Sequence, residues 1–161
     1  MAKNKIDSRV IKVAKLVRDK VTRWTKDNRD VDDNLCGACA IASYTLWRVL
    51  NTLGYSPTFA CIYTPDCSHC WIEIGDKMLD ITATQFGESE IFVASPDHWI
   101  NYFLNDDSFD DDYIVDDTIE VLKNKQAIST VKDWSSQSPV SYYKEINRLC
   151  RQVVKDFVQN P

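Results

Sequence analysis

Apolar side chains recur every three or four residues in three segments of the chain, which is the period of an amphipathic helix. The segments cover residues 6–24, 37–53 and about 139–159. Their apolar positions are Ile6, Val10, Val13, Val17, Val21 and Trp24, then Cys39, Ala42, Leu46, Leu50 and Leu53, and finally Tyr143, Ile146, Leu149 or Cys150, Val153 and Phe157. The pattern predicts N- and C-terminal amphipathic helices and a more apolar central helix, which Gly54 ends.

After Gly54 the pattern changes to short apolar runs that are typical of β-strands. These runs cover residues 58–64, 69–74, 77–82 and 91–95. The predicted strands therefore lie between predicted helices along the chain. Because no repeat or linker divides the chain, we expect a single domain over residues 1–161.

Gly75-Asp76 has the sequence of a two-residue hairpin turn between the second and third strands. With that turn, residue 74 pairs with residue 77, and Trp71 lies opposite Asp80. His69 is two residues from Trp71 and therefore shares its face of the sheet. The register predicts that His69 and Asp80 are diagonal neighbours within side-chain reach.

Charge and composition exclude several classes of function. The net charge is −5, which argues against a nucleic-acid-binding protein. The chain has no apolar run of ~20 residues for a membrane span and no signal peptide at its start, so we expect a cytoplasmic protein without membrane contacts. Its composition does not indicate an oligomeric state.

Two segments carry concentrated charge. The N-terminal helix has basic side chains outside its apolar stripe, which predict a solvated face or, alternatively, a docking surface for an acidic partner. These side chains are Lys12, Lys15, Arg18, Lys20 and Arg23. Residues 104–117 contain seven aspartates but lack the spacing of a calcium-binding EF-hand, so we expect a solvated acidic loop.

The chain has six cysteines and two histidines, and in a reducing compartment such cysteines indicate catalysis or metal binding rather than disulfides. Cys39 stands at the predicted start of the central helix, whose positive end favours a thiolate. His69 can take the proton of this thiol, and Asp80 can hold the imidazole in the required tautomer. The predicted catalytic residues are therefore Cys39, His69 and Asp80.

Three short motifs resemble the core of transglutaminase-like cysteine enzymes, a branch of the papain-like superfamily. They are CGACA at a helix start, HCWIEI and DITATQF, within residues 34–86. The resemblance implies an α+β fold in which the helix that begins at Cys39 packs on a small antiparallel sheet, with a papain-like core over about residues 34–95. It also implies a cysteine hydrolase or acyltransferase that acts on an amide or peptide bond of a protein or peptide, through a thioester and without a cofactor. Cys39, His69 and Asp80 occupy the positions of the catalytic triad.

Two further residues are candidates for substrate binding. The Asn34 side chain could donate a hydrogen bond to an oxyanion, as could the backbone N–H of Cys39. Trp71, on the face of His69, could form a wall of the active-site cleft or fill the core.

Two alternatives to an enzyme remain open at this stage. The first is a zinc-stapled protein-binding module, because thiolates and an imidazole at this spacing could complete a tetrahedral site. The residues concerned are Cys36, Cys39, Cys67, His69 and Cys70. The second is a catalytically inactive scaffold. Zinc does not require the Asp80-Ile81-Thr82 motif, whereas the triad does, and this favours the enzyme.

Overall fold

The structure is a computed structural model. It describes residues 3–29, 38–63, 68–104, 120–130 and 142–161. Most of the predicted acidic loop, residues 105–117, lies outside this part of the chain. No helix within the described ranges has an apolar stretch of the length that a bilayer crossing requires.

Besides a helical stretch at residues 125–130, the described part of the chain contains the three predicted helices and a further short one between them. Their bounds are Ser8–Arg29 (α1), Cys39–Thr52 (α2), His98–Leu104 (α3) and Tyr142–Gln159 (α4). Asp7 accepts a hydrogen bond from the backbone N–H of Val10 (3.0 Å), which caps the start of α1. Gly54 has a φ of 87°, so the chain leaves α2 in a conformation that favours glycine.

Five antiparallel strands form one sheet in the order β4-β3-β2-β1-β5, which confirms the α+β class. The strands are Thr58–Tyr63 (β1), Ser68–Ile74 (β2), Lys77–Asp80 (β3), Phe92–Ala94 (β4) and Glu120–Lys123 (β5). The register of the β2–β3 hairpin confirms the two-residue turn, since Ile74 pairs with Lys77 and Ile72 with Leu79. The sequence analysis did not predict β5, which is a short edge strand beside β1.

The two faces of the sheet are covered by different elements. α1, α2 and α4 pack on one face, where their apolar side chains meet those of Phe59, Cys61, Cys70 and Ile72. Trp99 and Phe103 of α3 pack with the side chains that alternate with these on the strands. These strand side chains are Ala60, Ile62, Trp71 and Met78. Both faces are therefore buried, and His69 lies in a strand that is shielded from water on each side.

The basic face of α1 is only partly solvated. Lys15 and Arg23 are exposed as expected, whereas Lys12 and Lys20 are half-buried and Arg18 is only 6% exposed. Its guanidinium donates a hydrogen bond to the backbone carbonyl of Ile81, just after β3 (2.5 Å). Arg18 is therefore not part of a solvated surface, because it links α1 to the chain that follows β3.

Candidate active site

Cys39 is the first residue of α2 and is almost fully buried, with 7% of its surface exposed. The preceding residue, Ala38, has no side-chain oxygen that could cap the helix, and the first turn has no acidic residue. The partial positive charge of the helix start therefore acts on the Cys39 sulfur without a competing carboxylate from α2. Ser43, one turn later, donates to the carbonyl of Cys70 (3.0 Å) and fixes α2 against β2.

His69 and Asp80 form a fully buried pair across β2 and β3. The Nε2 atom of His69 lies 2.5 Å from Oδ2 of Asp80, and neither side chain is exposed. The other carboxylate oxygen of Asp80 accepts hydrogen bonds from the backbone N–H (2.8 Å) and the hydroxyl (3.1 Å) of Thr82. Thr82 therefore fixes the carboxylate so that its free oxygen faces the imidazole.

Cys39 lies beside His69, and each of the two groups shifts the pKa of the other. Since Asp80 occupies Nε2, the Nδ1 side of the ring remains for the thiol. Burial of the ring opposes protonation, but the Asp80 carboxylate and Cys39 outweigh it and raise the pKa of His69 to about 10. A protonated His69 beside Cys39 is the arrangement of a thiolate–imidazolium ion pair.

Two neighbouring thiols extend the environment of Cys39. A hydrogen bond from Cys70 is the largest effect on the pKa of Cys39, and together with His69 it holds that pKa well below its ordinary value despite burial. Cys70 lies directly opposite Cys61 on β1. Hydrogen bonds to both sulfurs and its own burial raise the pKa of Cys70, so it remains a thiol and can act as the donor.

Aromatic rings enclose the imidazole of His69. The rings of Phe86 and Trp99 meet it edge to face, with centroids 4.8 Å and 5.1 Å away. Trp71 lies 6.2 Å away, is fully buried and donates its indole N–H to Glu73 (3.3 Å). Trp71 therefore fills the core, which was the second of its two predicted roles, and offers no exposed surface to a substrate in this structure.

Gln85 is a polar neighbour of the pair that the sequence analysis missed. It lies in a 3-10 turn, Ala83–Phe86, after β3. Its Nε2 atom is 3.4 Å from Nδ1 of His69 and donates to the carbonyl of Thr82 (3.1 Å). Because the side chain is only partly buried, it places an amide group at the solvent side of the imidazole. Its position three residues after Thr82 in the DITATQF motif was the available signal.

Several predicted site residues fall outside the described part of the chain. Asn34, the candidate oxyanion donor, is one of them, and so are Cys36 and Cys67 of the zinc alternative. Among the residues that the structure does describe, no group of three or more His, Cys, Asp or Glu side chains is arranged to hold a metal ion. The structure thus brings together Cys39, His69 and Asp80. Of the five residues of the zinc alternative, it describes Cys39, His69 and Cys70.

Comparisons of the chain with family models, curated proteins and solved structures give no match.

Proposed function

We propose that this protein is a cysteine enzyme that cleaves or exchanges an amide or peptide bond through a thioester on Cys39. The observation that carries the proposal is the buried His69–Asp80 pair, 2.5 Å apart, with Cys39 beside it at the start of α2. A carboxylate, an imidazole and a thiol in this order can generate and stabilise a thiolate nucleophile.

In the first half of the proposed reaction, the Cys39 thiolate attacks the carbonyl carbon of the substrate. The carbon–oxygen double bond opens, and the resulting oxyanion can accept hydrogen bonds from backbone N–H groups at the start of α2. When the tetrahedral intermediate collapses, the carbon–nitrogen bond breaks and the imidazolium of His69 gives its proton to the leaving amine. The products are a free amine and an acyl group in thioester linkage to Cys39.

In the second half, neutral His69 takes a proton from water or from an amine, which attacks the thioester. The carbon–sulfur bond breaks, and the proton on His69 restores the ion pair with the released thiolate. Water as the acceptor gives a peptidase, amidase or deamidase, whereas an amine gives an acyltransferase. Asp80 holds the ring in place throughout and stabilises its protonated form.

The resemblance of residues 34–86 to transglutaminase-like enzymes supports this proposal and extends it to a papain-like core. The elements occur in the implied order: Cys39 begins a helix that packs on an antiparallel sheet, and adjacent strands carry His69 and Asp80. A protein or peptide is the proposed substrate. We also propose a cytoplasmic location, because the described cysteines are all free thiols.

An activated ester, p-nitrophenyl acetate, tests the acyl-enzyme step without knowledge of the natural substrate. We expect a burst of nitrophenolate and a mass increase of one acetyl group that maps to Cys39. Cys39→Ala should abolish both signals, whereas Cys150→Ala, which removes a buried thiol on α4, should retain them. Acetylation that is equal in the Cys39→Ala variant would exclude Cys39 as the nucleophile.

A further inference from the structure

Arg18 of α1 makes contacts with the segment that follows Asp80, far from it in sequence. Its Nη1 group donates to the carbonyl of Ile81 (2.5 Å), and its Nη2 group donates to the hydroxyl of Thr84 (3.4 Å). Ile81 and Thr84 flank Thr82, the residue that orients the Asp80 carboxylate. Arg18 thus binds the chain on both sides of Thr82.

Burial of a guanidinium is costly unless hydrogen bonds compensate, so a buried arginine in the flank of a helix requires a specific partner. Arg18 forms an ion pair with Glu90 at 4.0 Å, but that side chain is 76% exposed. An exposed carboxylate at this distance contributes little, because solvent screens it. The hydrogen bonds to Ile81 and Thr84 are the contacts that connect Arg18 to the turn after β3.

A continuous series of contacts leads from Arg18 to the proposed nucleophile. Arg18 fixes the carbonyl of Ile81, the next residue Thr82 fixes one oxygen of Asp80, and the other oxygen of Asp80 contacts His69. α1 lies outside residues 34–86, to which the resemblance is confined, so the motifs alone do not indicate this contribution.

We infer that Arg18 is a positioning residue, which holds the Ile81–Thr84 turn so that the Asp80 carboxylate stays aligned with His69. The inference rests on the proposed function, since it concerns the alignment of the same catalytic group. Without Arg18, the turn can shift and weaken the hold of Asp80 on the imidazolium, and the Cys39 thiolate then loses its counter-ion. Misplacement of a catalytic group by 1 Å can cost about 10²-fold in rate, which sets the upper limit of the effect.

The test compares Arg18→Met with Arg18→Lys and with Lys15→Met, an exposed control on the same helix that removes the same charge. Thiolate absorbance in the ultraviolet, recorded against pH, gives the titration of Cys39, and iodoacetamide gives its alkylation rate at neutral pH. We expect Arg18→Met to raise the titration midpoint of Cys39 and to slow alkylation about tenfold, within the limit above. Arg18→Lys, which keeps a donor, should lie between this variant and the wild type, and Lys15→Met should match the wild type.

A folded Arg18→Met protein with the wild-type titration and alkylation rate would overturn the inference. If Arg18→Met does not fold, Arg18→Lys and Thr84→Val decide the question, because each weakens one contact and retains the apolar packing. Unchanged Cys39 titrations in both of these variants would overturn the inference as well. A wild-type protein whose Cys39 is not alkylated would instead refute the proposed function itself, so the two failures are distinguishable.

Discussion

Replacement of Asp80 by asparagine tests how the protein maintains a charged imidazole in a fully buried site. Asparagine has the same shape and can still accept the hydrogen bonds of Thr82 through its oxygen. Its amide N–H group then faces Nε2 of His69, which must become an acceptor. The ring proton moves to Nδ1, so that a neutral His69 has no lone pair with which to take the proton of Cys39.

The size of the effect follows from the pKa of His69. Asp80 and Cys39 together raise the pKa of His69 from 6.5 to about 10, although burial acts in the opposite direction. At ~1.4 kcal/mol for each pKa unit, this increase corresponds to about 5 kcal/mol in favour of the protonated ring. Without the carboxylate, burial dominates, and we expect the pKa of His69 to fall below 6.5. A thiol without a counter-ion is only a few per cent thiolate at neutral pH, so the thiolate fraction of Cys39 should fall by about 30-fold or more.

Thiolate absorbance and the iodoacetamide rate at neutral pH measure this loss, with Cys39→Ala as the blank. Asp76→Asn in the exposed hairpin turn is the matched control, because it makes the same chemical change outside the site. The equivalent change in a serine triad costs about 10⁴ in turnover, and a cysteine enzyme should lose less since its thiol is more acidic. A folded Asp80→Asn protein with an unchanged Cys39 titration would refute this reasoning and remove the main argument for an enzyme over a zinc module.

Three further predictions concern the neighbours of the ion pair. Cys70→Ala removes the donor that lowers the pKa of Cys39, so the titration of the Cys39 thiolate should move to higher pH. Cys70→Ser should move this titration less, and an unchanged midpoint in Cys70→Ala would exclude the hydrogen bond. His69 should titrate near pH 10 by NMR of labelled histidine, with the imidazolium lost only as pH rises through about 10; a midpoint at or below 6.5 would contradict the ion pair. Protein purified without chelator should contain no stoichiometric zinc by elemental analysis; bound zinc that is lost in Cys36→Ala or Cys70→Ala would favour the binding module.

The sequence predicted the hairpin and its His69–Asp80 pair because local rules determine them. A two-residue Gly-Asp turn fixes the register of its strands, and the register fixes which side chains share a face. For the same reason, the helical period was sufficient for α1, α2 and α4. Asp80 and His69 meet where this register places them, at 2.5 Å.

The roles of Arg18, Cys70 and Gln85 could not be predicted in this way, because they depend on how separate elements pack. Arg18 has the same charge as its neighbours on α1, and only the position of the turn after β3 distinguishes it. The identity of Cys70 indicated a candidate metal ligand, and only its place opposite Cys61 and beside Cys39 shows that it can also donate a hydrogen bond. The edge strand β5 was missed for a similar reason, since its four residues form a strand only by pairing with β1.

Residue-resolved alkylation measures directly whether Cys39 is an activated nucleophile. The wild-type protein is treated with substoichiometric iodoacetamide near neutral pH, and the modified cysteine is identified by peptide mass spectrometry. We expect Cys39 to be labelled first among the six cysteines, although it is almost fully buried, and His69→Ala to abolish this preference. First labelling of Cys36 or Cys70, with Cys39 unmodified, would contradict the assignment of the nucleophile and the function proposed from it.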